Sequence, residues 1–179
     1  MLDGETKKRP IGVIILAGLH FLAGLVMTLM LVNFLSEAFA SDFGGLVLFF
    51  AVFTTVAVIA VNFCAGAGML MGRKWGWALS FTVVAFLVLQ QLQGLLMVPV
   101  MEQVRPAKEV NAAISSLVIV VLLLLFIGYY YFRRNVAEFF EMDAAGRTRL
   151  AVWSAVAALT YFVLDMALRV YVAMSAAPS

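Results

Sequence analysis

Residues 11–35, IGVIILAGLHFLAGLVMTLMLVNFL, hold no charged side chain and a single histidine, His20. At a rise of about 1.5 Å per residue, a helix of this length outreaches the roughly 30 Å hydrocarbon core of a bilayer. Four further apolar stretches follow, at about 46–71, 77–98, 112–132 and 150–173. With 65% hydrophobic and 12% charged residues, and a mean hydropathy of +1.06, the chain has too little polar surface for a soluble globule. A lone strand in lipid leaves its backbone polar groups unpaired, and the alternation of barrel strands is absent from these runs. The fold predicted is all-α: a polytopic membrane helix bundle with five transmembrane helices, in one domain covering residues 1–179.

The basic residues set an orientation, because Lys and Arg near span ends concentrate on the cytoplasmic side. Lys7, Lys8 and Arg9 precede the first span, Arg73 and Lys74 join the second to the third, and Arg133, Arg134, Arg147 and Arg149 lie between the fourth and fifth. The opposite side holds Arg105 and Lys108 beside Glu37, Asp42, Glu102 and Glu109. The N-terminus is therefore expected in the cytoplasm and the C-terminus outside. Trp75, Trp77, Tyr129, Tyr130, Tyr131 and Trp153 fall near the basic ends of the spans, where amphipathic rings favour the headgroup level. The first span resembles a signal peptide only in its basic lead and its small-residue triplet Ala38-Phe39-Ala40. Its apolar run is far longer than the about 7 to 15 residues of a signal core, so it is read as a retained helix. The simplest localisation is the inner membrane of a bacterium.

Between Asn135 and Arg149, Val136, Phe139, Phe140 and Met142 alternate with Glu138, Glu141 and Asp143. Two readings suit this pattern: a short helix resting on the headgroups, or a Phe-rich segment packed beneath the bundle. The only cysteine, Cys64, forms no disulfide within the chain and is expected as a small packing residue. Helices in lipid associate through close backbone approach, so Gly68 and Gly72 of a GxxxG, and Ala151 and Ala155 with Ser154 and Ala158, are candidate packing positions.

Polar side chains within spans are the best functional leads, since hydrocarbon makes an unpaired one costly. His20 lies within about 5 Å of the midplane by residue count. A hairpin turning near residues 40 and 41 sets it level with Asn62 to within one residue. A hydrogen bond between them is one reading; the other makes His20 a ligand for a metalloporphyrin or chlorophyll-type pigment. A second histidine to complete six-coordinate haem does not exist in this chain. Farther from the basic ends, Gln90, Gln91 and Gln93 share a depth with Thr54, Thr55, Asp165 and Arg169. Asp165 and Arg169 are spaced for an ion pair on one helix, with the acid in the favourable N-terminal place. The functional alternative is an outward-facing polar cavity for a cation or proton. His20, Cys64 and Asp165 sit at different depths, so neither a metal nor a catalytic site is expected. No cofactor and no nucleic-acid role are expected.

Arg9-Pro-Ile-Gly-Val13, Gly72-Arg-Lys-Trp-Gly-Trp77 and Tyr130-Tyr-Phe-Arg-Arg-Asn-Val136 resemble a pattern of small, uncharacterised multi-pass prokaryotic membrane proteins. The resemblance implies a shared hairpin architecture and no particular activity or functional residue. The leading functional expectation is a noncatalytic integral membrane subunit or accessory protein that packs against other membrane components. The expected partners are the lipid bilayer and a membrane protein or a second copy of the chain. A small oligomeric transporter or channel built on the outer polar cluster, and a pigment-bearing or electron-transfer subunit built on His20, are the alternatives.

Overall fold

The computed structural model describes residues 9–40, 45–99 and 106–175. Lys7, Lys8, Asp42, Glu102 and Arg105, which entered the charge count above, lie outside the described residues. Among the described residues no strand occurs, and five long helices carry the fold: α1 (Ile11–Ala40), α2 (Gly45–Leu70), α3 (Lys74–Leu96), α4 (Ala107–Tyr131) and, after the six-residue α5 (Arg134–Phe139), α6 (Ala144–Ser175). All five are long and apolar enough to cross a membrane.

Local chemistry explains their ends. Pro10 and Pro106 stand just before α1 and α4, and their carbonyls accept the first-turn amides of Val13 and Glu109 at 2.9 Å. α2 closes in a Schellman motif: Arg73 N donates to Gly68 O at 2.9 Å and Gly72 N to Met69 O at 3.1 Å, with Gly72 at φ +66°. α5 ends the same way, with Met142 N on Ala137 O at 3.0 Å and Glu141 at φ +54°. α6 starts six residues earlier than its apolar run, because Asp143 caps it by accepting Gly146 N on Oδ1 at 2.9 Å.

α3 is the central helix, packing against α2, α4 and α6, while α1 packs chiefly on α2. The α2–α3 hairpin is tight. A Cβ at Gly68 would sit 2.6 Å from Gly76 Cα, and one at Gly76 would strike the Gly68 backbone. Gly68 is thus an interhelical contact, whereas Gly72 lies past the end of α2 as its turn residue. The two glycines of the GxxxG do not share a helix face.

Most fully buried side chains gather toward the basic end of the bundle. Val13, Met69, Trp77, Tyr131, Val136 and Phe140 are wholly enclosed and belong to one cluster. α5 and the turn after it supply Val136, Phe139, Phe140 and Met142 to that cluster, so this segment packs beneath the bundle instead of lying on headgroups. Burial also separates the boundary aromatics. Trp75, Tyr129 and Trp153 are exposed as anchors would be, but Trp77 and Tyr131 are core residues. Cys64 points outward from α2.

Candidate functional site

Four helices bring polar side chains together inside the basic half of the bundle. His20 comes from α1, Asn62 from α2, Ser80 from α3 and Tyr131 from α4, and all four are buried. His20 Nδ1 lies 3.0 Å from Asn62 Oδ1. His20 Nε2 contacts Ser80 Oγ, and Ser80 Oγ contacts the Tyr131 hydroxyl. The backbone holds the remaining end, because Asn62 Nδ2 donates to Val58 O at 2.9 Å.

The direction of this chain follows from its terminus. A carbonyl only accepts, so the Asn62 nitrogen faces Val58 and its oxygen faces His20. His20 then donates from Nδ1, and with a neutral imidazole Nε2 accepts the Ser80 hydroxyl. With its proton so placed, Ser80 accepts from Tyr131. In that arrangement each donor has an acceptor.

Aromatic packing fixes the Tyr131 end. Trp77 meets the Tyr131 ring edge-on with centroids 5.7 Å apart, and its indole Nε1 donates to Tyr131 O at 3.4 Å. Phe81 stacks on Trp77 at 5.2 Å, and Met69 Sδ lies 4.0 Å from the Tyr131 hydroxyl. On the far side of α3, Ser154 of α6 donates to Ala78 O at 3.1 Å. Ser154 and Ala158 are the buried small residues of α6, while Ala151 is half-buried and Ala155 faces outward.

His20 has both ring nitrogens engaged, so ligating a pigment metal would require breaking one of these bonds. Ser80 and Tyr131 were not among the sequence candidates. Ser80 is a lone hydroxyl in an apolar span, and Tyr131 sits in a Tyr-Tyr-Tyr run that reads as an interface belt. The register of the α2–α3 hairpin is the signal that finds Ser80: with Gly68 facing Gly76, Ser80 falls level with Cys64, two residues from Asn62.

The outer polar residues form a looser group. Arg169 Nε bonds Asp165 Oδ2 at 2.8 Å, with the Arg side chain 64% and the Asp side chain 20% exposed. Gln90, Gln91 and Gln93 are half-buried on α3, and among the described residues no hydrogen bond joins them to that pair. α3 meets α6 here through rings, Phe86 against Tyr161 at 4.9 Å. Among the described residues no group of three His, Cys, Asp or Glu side chains is placed to hold a metal ion.

Fold and site together define a multi-pass helical membrane protein whose core is tied by a polar chain across four helices. No protein-family model, curated protein or solved structure matches it.

Proposed function

We propose that the protein is a noncatalytic integral membrane scaffold or accessory subunit, with its basic end and N-terminus in the cytoplasm and its C-terminus outside. The observation that carries this reading is the closed donor-to-acceptor chain from Tyr131 to Val58. Hydrogen-bonding groups of four helices satisfy one another there, which is what a rigid packing element requires and what a reacting centre would have to undo. Around this core the helices turn large apolar side chains outward, including Ile15, Leu22 and Leu29 of α1 and Phe49 and Phe53 of α2. Such faces serve lipid, a membrane protein partner or a second copy of the chain. The charge asymmetry of the span ends suits the cytoplasmic membrane of a bacterium.

The test is native mass spectrometry of the full chain released gently from its own membranes. A reproducible stoichiometric complex is the expected result. A chain that emerges alone, or that drives ion flux when reconstituted alone in vesicles, overturns the accessory reading.

A further inference from the structure

α4 and α6 both pack on α3 and make little contact with each other, leaving an apolar groove of about 510 Å3 between them. Phe81 and Val88 of α3 form its floor, Leu124 and Gly128 of α4 one wall, and Ala155 and Leu159 of α6 the other. A Cβ at Gly128 would meet nothing within 4 Å, so the wall is open there. The volume falls in the range of about 300–1,000 Å3 typical of small-molecule sites.

Along α6, Arg147 lies twelve residues before the groove residue Leu159, a rise of about 18 Å toward the basic end. That matches roughly one leaflet of a hydrocarbon core about 30 Å thick. At the basic end the groove meets Phe132, and there Arg147 takes over. Its Nη1 donates to Phe132 O at 2.8 Å and its guanidinium carbon lies 5.7 Å from the Phe132 ring centre. Its Nε, however, is enclosed without an acceptor, and neither described ion pair includes Arg147. An enclosed charged donor without an acceptor is unfavourable, and a phosphate offers a guanidinium two acceptors at once.

We infer that this groove holds an acyl chain of an anionic phospholipid whose phosphate is bound by Arg147. The phosphate takes the Nε and one Nη donor as a fork, in exchange for the single bond to Phe132. A headgroup that carries its own cation neutralises its phosphate and so pairs less well with Arg147 than an anionic headgroup does. The inference requires the helices to sit in a bilayer and is independent of the accessory reading.

Purified full-length protein in detergent is titrated with phosphatidylglycerol and with phosphatidylcholine of identical chains, and bound lipid is counted by native mass spectrometry. Phosphatidylglycerol is expected to bind about fivefold more tightly, the scale of one basic side chain at a membrane surface. Arg147→Gln removes that preference by weakening phosphatidylglycerol more than phosphatidylcholine, whose phosphate carries its own neighbouring cation; Arg147→Lys keeps most of it, and Ala155→Leu weakens both lipids. Equal binding of the two lipids, a preference that survives Arg147→Gln, or equally tight binding of glycerol phosphate without chains overturns the proposal. If Arg147→Gln does not fold, Gly128→Leu decides: filling the groove must weaken phosphatidylglycerol, and unchanged binding overturns the proposal.

Discussion

Removing the Tyr131 hydroxyl with Tyr131→Phe keeps the ring against Trp77 and Phe81 and takes away only the first donor of the buried chain. Hydrogen bonds between membrane helices average about 0.6 kcal/mol and reach about 1.7 kcal/mol, so a loss of about 1 kcal/mol is expected in a reversible detergent-unfolding measurement. His20→Ala removes two bonds and leaves a cavity among four helices, with Asn62 and Ser80 each deprived of a partner. Its cost should exceed 2 kcal/mol. Combined with Ser80→Ala, the His20→Ala loss should be less than additive, since both changes delete the same bond. Strict additivity would mean that the chain does not act as a unit. His20 and Asn62 were legible together because one antiparallel register is enough to align them. Tyr131 was not, because a tyrosine at a span end satisfies membrane-interface physics whether its ring faces headgroups or core.

Between elements, glycine separates contacts that look alike in sequence. Gly76→Ala drives a methyl into the Gly68 backbone, which cannot yield without separating α2 from α3. An overpacking cost at or above about 3 kcal/mol, or loss of folded protein, is expected. Gly18→Ala on α1 meets nothing within 4 Å and should leave the thermal midpoint within a few degrees of the parent. Equal behaviour of the two variants would contradict the packing described for the hairpin. α5 teaches a related lesson. Its Val136, Phe139, Phe140 stripe fits a lipid surface and a bundle floor equally well, because periodicity records which side is apolar and not what lies against it. Phe140 is fully enclosed, so Phe140→Ala should cost about 3–5 kcal/mol, while Trp153→Ala at an exposed anchor should cost far less. Matching losses would place the α5 segment on the lipid.

At the scale of the whole molecule, span number and charge asymmetry were readable because hydrocarbon imposes length and apolarity on every crossing helix. Which helices touch was not readable, since α3 is no more apolar than its neighbours, yet it alone packs against three of the other long helices. Orientation belongs to the same scale. Arg9, Arg73, Lys74, Arg133, Arg134, Arg147 and Arg149 all cluster at one end of the bundle, and Lys108 lies at the other. The proposed orientation keeps the first group on the cytoplasmic side, as the distribution of basic residues favours. Cys64 is the only native thiol and sits at membrane depth, so Cys64→Ser provides a background free of thiols. On it, Lys108→Cys should react with a membrane-impermeant maleimide in intact cells, and Arg149→Cys only after the membrane is opened. The reverse pattern would invert the protein and place the Arg147 end of the groove in the outer leaflet. Labelling of both positions in intact cells would show a mixed orientation, which the one-sided charge distribution opposes.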